Sequence, residues 1–174
     1  SLHREFGHTM IYVTHDQTEA LTFADKVVVM SEGRVLQLAT PQELFDSPAH
    51  SFVGYFIGSP GMNFLDAKIE GARAIIDGAT VNLGSTYSTH SGRTQIGIRP
   101  EFCALSNKGG LPFTLKRVED VGSRRILRGE VAGNVFNIIA PEGSEISADD
   151  NRVTIEPDKV SVFVDDWRIL GRAV

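Results

Sequence analysis

From residue 63 onward the chain breaks into short segments of alternating apolar and polar residues, closed by Gly, Asp or Asn. That pattern admits few folds. The segments run over 64–69, 74–77, 79–83, 94–99, 113–119, 125–131, 134–140, 152–155 and 161–164. A period of two turns one face of each segment to a core and the other to solvent. Many short strands with turn residues between them, and hardly any helical periodicity, predict a small barrel or sandwich.

The first third reads differently. Residues 9–14 (Thr-Met-Ile-Tyr-Val-Thr) are apolar on both faces and rich in β-branched and aromatic side chains, which predicts a strand buried in a parallel sheet. Thr14-His15-Asp16 carries capping chemistry for a helix over 17–24. Residues 27–30 and 35–38 form a hairpin about Ser31-Glu32-Gly33-Arg34. Thr40-Pro41 starts a helix to about Phe45, and Ser47-Pro48 a second one with Phe52, Val53, Phe56 and Ile57 on one face. Gly58-Ser59-Pro60-Gly61 then ends all helical texture. The division is therefore an α/β region over residues 1–58 and an all-β domain over 59–174. Ser1 to Gly7 reads as the last turns of a helix closed by Gly7, an opening expected of a fragment cut from a longer protein.

Charge narrows the partners. The formal net charge is −5, which disfavours a phosphate backbone or an anionic membrane surface. The two regions differ: residues 1–58 carry three Lys/Arg against seven Asp/Glu, residues 59–174 fourteen against fifteen. No apolar run approaches the roughly 20 residues of a membrane span, no secretory leader is evident, and the single cysteine, Cys103, suits a reducing compartment. A soluble cytoplasmic protein is expected. The histidines at 3, 8, 15, 50 and 90 have no metal-ligand spacing, so no metal site is expected. Arg124, Arg125 and Arg128 make either an anion or partner site or a solvated strand face. Arg99 offers an ion pair with Glu101 or organises the seam between regulatory domains. Asp165-Asp166 reads as a turn.

Tyr12-Val13-Thr14-His15-Asp16-Gln17-Thr18-Glu19-Ala20 is the most informative stretch. A strand end is a rigid platform, and a His on the loop beyond it can reach the terminal phosphate of a nucleotide and help orient an attacking water. The same His could instead cap the following helix. This stretch resembles the switch-histidine segment of ABC transporter ATPases. Ala24 to Met30, Gly33-Arg34-Val35, Thr40 to Phe45 and Phe52 to Gly58 follow in that family's order and spacing. Gly58-Ser59-Pro60-Gly61-Met62-Asn63-Phe64-Leu65 is similar to the junction of its carbohydrate-uptake branch, the maltose and glycerol-3-phosphate importer type. Gly97-Ile98-Arg99-Pro100-Glu101 and Val118 to Ser123 resemble that branch's regulatory domain.

The resemblance implies the C-terminal part of an importer ATP-binding subunit. Its fold would be an α/β remnant of the nucleotide-binding domain followed by an oligonucleotide-fold-like barrel. His15 would be the catalytic switch histidine acting on the γ-phosphate of ATP. The intact subunit would use ATP and magnesium, form a homodimer, dock on membrane-spanning importer subunits, and lie on the inner face of the membrane. The chain departs from the family pattern in lacking a Gly-rich loop ending in Gly-Lys-Ser/Thr, an acidic magnesium-binding strand end and a Ser-Gly-Gly-Gln signature. No ATPase activity or cofactor binding is therefore expected of these residues alone. The rival reading is a stand-alone oligonucleotide-fold module for a small oxyanion or nucleic acid. The near-neutral β region, with no aromatic and basic residues interleaved, speaks against nucleic acid.

Overall fold

The computed structural model describes residues 9–147 and 149–173. The proposed helix over residues 1–6 lies outside them. The first described helix, α1 (Gln17–Phe23), is capped by Asp16, whose side chain accepts from the amides of Thr18 and Glu19. Strands β1 (Val27–Ser31) and β2 (Arg34–Ala39) form the expected hairpin. Glu32 and Gly33 both take positive φ, 49° and 74°, the geometry that matches the twist of the flanking strands. Helix α2 (Pro41–Asp46) carries a full capping box: the Thr40 side chain accepts from the Glu43 amide while Glu43 accepts from the Thr40 amide. Helix α3 (Ser51–Phe56) closes a small core of Val29, Ala39, Leu44, Val53 and Ile57.

Two expectations for this region fail. Residues 9–14 form no strand, and Met10, Ile11, Tyr12 and Val13 are exposed. A strand exists only by pairing, and no strand among the described residues pairs with this segment. Nor does the segment rearrange against the β1–β2 hairpin. The second helix begins at Ser51, not at Ser47-Pro48. Gln37 on β2 holds the intervening residues out of the helix, donating to the Ser47 carbonyl at 3.1 Å and accepting from the Ala49 amide at 2.8 Å. The four side chains expected on one face also divide. Val53 and Ile57 are buried, whereas Phe52 and Phe56 stack on each other at the surface, ring centroids 5.6 Å apart.

Beyond Met62 every pairing is antiparallel. The strands are β3 (Asn63–Asp66), β4 (Lys68–Ile76), β5 (Ala79–Tyr87), β6 (Thr94–Ile98), β7 (Cys103–Ser106), β8 (Leu111–Pro112), β9 (Thr114–Asp120), β10 (Arg124–Val131), β11 (Asn134–Pro141), β12 (Arg152–Ile155), β13 (Ser161–Val164), β14 (Trp167–Ile169) and β15 (Arg172–Ala173). They form ladders in the orders β14-β13-β6-β3, β15-β5-β4, β11-β10-β9 and β7-β12-β8. Inward positions of all four meet in one core that includes Leu65, Ile76, Ile96, Leu127, Phe136, Val153 and Val162. All nine segments read from the sequence are strands. The first is split at Ala67, whose amide donates to the Thr94 carbonyl. The barrel reading therefore holds.

Phe136 is fully buried and meets Phe113 edge-on at 6.4 Å. Phe136→Ala removes that ring from the centre of the barrel and leaves a cavity, so we expect a loss of about 3–5 kcal/mol. The shift of a urea-unfolding midpoint measures it, and a change below about 1 kcal/mol would mean that the core collapses around the gap.

Candidate functional site: the His15 loop and the Arg99 seam

The loop carrying His15 is built by its neighbours. The Thr14 hydroxyl accepts from the Asp16 amide at 3.0 Å and lies 2.9 Å from Oε2 of Glu19. The Tyr12 hydroxyl donates to Oε1 of the same carboxylate at 3.2 Å, and the Glu19 charge raises the Tyr12 pKa above the usual phenol range. Thr14 and Asp16 thus turn the chain into α1 without help from the residue between them. His15 is exposed and makes no side-chain hydrogen bond among the described residues. The capping role open to it in the sequence belongs to Asp16. What is left is an imidazole held out at a fixed loop, free to meet a ligand or another part of a protein.

Leu21 packs α1 against the small core, and one hydrogen bond ties the helix start to the junction. Oε1 of Gln17 accepts from the Gly58 amide at 3.3 Å, at the point where the helical region ends. Beside it lies Arg99, which follows β6 and is 2% exposed. Its guanidinium reaches back across the junction. Nε and Nη2 donate to the Phe45 carbonyl at 3.1 and 2.8 Å, and Nη1 donates to the carbonyls of Gly54, at 3.0 Å, and Ile57. The cation also sits 4.2 Å over the Phe45 ring. These are C-terminal carbonyls of α2 and α3, the groups a helix leaves without partners. Burial pushes the Arg99 pKa down to about 10, partly offset by Glu101 and Asp46, so the group stays charged at neutral pH.

The expected ion pair with Glu101 is not formed. Glu101 is exposed and acts only through its field. The seam that Arg99 organises lies between the two regions of one chain. Its far end is closed by the β13–β14 turn, where Asp165 and Asp166 take positive φ, 47° and 70°. The Asp166 carbonyl accepts from the Ser51 amide at 2.8 Å, and its carboxylate accepts from the Ser51 hydroxyl at 2.6 Å. Trp167 meets His50 edge-on at 4.8 Å while Nδ1 of His50 caps α3 through the Phe52 amide. The sequence reading identified the Asp-Asp pair as a turn but missed this docking role.

The other candidates resolve simply. Arg125 pairs with Asp120 at 2.8 Å and Arg128 with Glu119 at 3.0 Å, while Arg124 is exposed, so the arginine cluster is a solvated strand face. Cys103 is buried, and burial followed by the charges of Glu101 and Glu156 raises its thiol pKa. No group of three His, Cys, Asp or Glu side chains among the described residues is placed to hold a metal. No helix among them is long and apolar enough to cross a membrane.

Fold and seam together define an OB-fold domain joined to a short helix-and-hairpin region. Residues 58–103, which carry β3 to β6, the junction and Arg99, match the family model described as "MalK OB fold domain". The chain is 35% identical over 163 residues to the sn-glycerol-3-phosphate import ATP-binding protein UgpC of Jannaschia sp., covering 94% of this chain and 47% of that protein. It is 42% identical over 134 residues to the protein of the same name from Salmonella choleraesuis, covering 74% and 38%. It is 44% identical over 144 residues to an uncharacterized ABC transporter ATP-binding protein, y4oS, of Sinorhizobium fredii, covering 76% and 37%. The chain thus spans less than half the length of these relatives. Over most of its length the chain is thus similar to part of these ATP-binding proteins, and residues 58–103 carry the OB-fold domain of the matching family.

Arg99→Met keeps the bulk of the side chain and leaves the Phe45 and Ile57 carbonyls buried without donors. Each such loss costs about 1–3 kcal/mol. We expect a loss of roughly 3 kcal/mol in urea unfolding, with Arg99→Lys recovering only part, because one ammonium cannot span three carbonyls in the guanidinium's fixed geometry. Full recovery by Lys would show that the charge alone holds the seam.

Proposed function

We propose that this chain is the C-terminal portion of a subunit that hydrolyses ATP to power import of a sugar or of glycerol 3-phosphate. Residues 1–58 would complete the nucleotide-binding domain and residues 59–174 would form its regulatory domain. His15 is the switch histidine in this reading. The observation that carries it is local: Thr14, Asp16 and Glu19 build and cap the loop, leaving an exposed imidazole without a structural task. In the complete subunit His15 would donate a hydrogen bond to the γ-phosphate and help orient the attacking water. ATP and magnesium would be held by a phosphate loop and acidic ligands supplied by the longer protein. The sequence match to the import subunits supports the class of cargo, since it spans both the His15 segment and the barrel.

In the complete subunit, His15→Ala is expected to lower kcat by about 10²-fold or more while leaving the ATP dissociation constant within about threefold, because affinity resides in the phosphate and metal contacts. Steady-state hydrolysis together with nucleotide titration separates the two. Unchanged turnover would remove His15 from the mechanism. The 174-residue chain alone should show no ATP binding tighter than millimolar by calorimetry.

We also propose that copies of the protein pair, that the partners are membrane-spanning importer subunits, and that the assembly lies on the cytoplasmic face of the membrane. Support for pairing comes from the exposed row Met10, Ile11, Tyr12 and Val13, which leaves about 1.5–3 kcal/mol per large side chain to be gained by burial. Light scattering on the eluted chain should report a dimer that weakens when residues 1–14 are deleted. A monomer at all concentrations would overturn the pairing.

A further inference from the structure

The turn that carries His15 is closed by a carboxylate from the helix that follows it. Glu19 stands in the first turn of α1 and reaches back over the loop. Its Oε2 accepts from the Thr14 hydroxyl at 2.9 Å and its Oε1 from the Tyr12 hydroxyl at 3.2 Å. Its amide donates to Oδ1 of Asp16 at 3.2 Å. Residues before and after His15 are therefore all bonded to Glu19, while the imidazole between them is left exposed.

The direction of the protons makes this arrangement specific. An ionised carboxylate only accepts. The Thr14 hydroxyl has one proton, and donating it to Glu19 leaves a lone pair facing the Asp16 amide, which donates to that oxygen at 3.0 Å. The bond that bends the chain around His15 thus depends on an acceptor at position 19. Glu19 and Thr14 are both half-buried, and Glu19 forms no ion pair among the described residues, so its oxygens serve the two hydroxyls. The arrangement also survives pairing of residues 9–14 into a sheet. Side chains two residues apart share a face of an extended chain, so Tyr12 and Thr14 reach Glu19 together in either case.

We propose that Glu19 is the positioning residue of the His15 loop: it sets where the imidazole stands and touches no nucleotide itself. This rests on the reading of His15 as the switch histidine. A Glu in the first turn of a helix also favours the local dipole, so placing His15 must be separated from supporting α1. The Asp16 side chain caps α1 through the Thr18 amide whether or not Glu19 is present, which keeps the helix start intact in a Glu19 variant.

The test uses the complete subunit for rates and the 174-residue chain for motion. Glu19→Ala is expected to lower kcat about tenfold and to leave the ATP dissociation constant within about twofold, because a displaced group loses rate while the contacts that bind nucleotide stay in place. Glu19→Gln, whose amide oxygen still accepts from Thr14, should recover most of that rate. The deciding variant is His15→Ala/Glu19→Ala. A residue that acts through the imidazole adds nothing once the imidazole is gone, so the double variant should turn over as slowly as His15→Ala and no slower. In the 174-residue chain, the nuclear magnetic resonance order parameter of the His15 amide should fall from about 0.85 to below about 0.6 in Glu19→Ala. Losses that add in the double variant would show Glu19 supporting the helix alone and would overturn the proposal. So would wild-type turnover in Glu19→Ala beside a slow His15→Ala, or an order parameter that the substitution does not change. Wild-type turnover in His15→Ala would instead remove the switch-histidine reading, and the role of Glu19 with it.

Discussion

The junction between the two regions turns on one buried cation. Left alone, a guanidinium at 2% exposure would cost several kcal/mol in lost hydration. Arg99 offsets this with bonds to three main-chain carbonyls and a face-on contact with Phe45. The Phe45 and Ile57 carbonyls would otherwise be orphaned at the ends of α2 and α3, two six-residue helices too short to persist by themselves. One side chain from the barrel thus completes two helices of the neighbouring region. That is why the small core of Val29, Leu44, Val53 and Ile57 can hold together with so few members.

The second end of the seam uses a different kind of group to the same effect. Two consecutive residues at positive φ let the β13–β14 turn present both the carbonyl and the carboxylate of Asp166 to Ser51 at the start of α3. An anionic side chain beside a helix start and a cation beside its end each favour the local dipole. Helix α3 is therefore held at both termini by the barrel, and its burial of Val53 and Ile57 follows from that placement. The deeply packed barrel serves as the rigid partner in this arrangement.

What the sequence reveals depends on how local the cause is. The capping box at Thr40, the Glu32-Gly33 turn and the nine strands depend on near neighbours, and each is visible in the residue order. The start of α3 is not, because Gln37, on the preceding strand β2, decides it. Strands β8, β14 and β15, of two or three residues, are too short to show alternation, and β7, β8 and β15 exist through pairing with distant partners. Residues 9–14 have the composition of a buried strand and are exposed here, since composition states a preference while pairing requires an edge. Of the candidate residues, His15 stands out in the sequence through its neighbours and Arg99 through its Ile-Arg-Pro-Glu setting. The docking of Asp166 and Trp167 joins positions more than a hundred residues apart, which no local pattern reports.

These contacts also grade the molecule by rigidity. Arg99 and Asp166 fix α2 and α3 to the barrel through several short bonds each, whereas α1 buries no residue fully and reaches the junction through one 3.3 Å bond from Gln17. A helix with so little buried surface lies at the low end of the local stability scale. The His15 loop is rigid within itself, because Thr14, Asp16 and Glu19 lock its turn, yet it is only lightly anchored to the body that follows. A displacement at the junction would act on this loop through Gln17 and Gly58, next to the carbonyl that Arg99 holds at Ile57. The physical route between the barrel and the imidazole is therefore short, but a single hydrogen bond transmits at most about 1–2 kcal/mol. The packing of Leu21 on α1 against Val29, Leu44, Val53 and Ile57 is the second link, so the barrel reaches the His15 loop through the small core as well as through this bond.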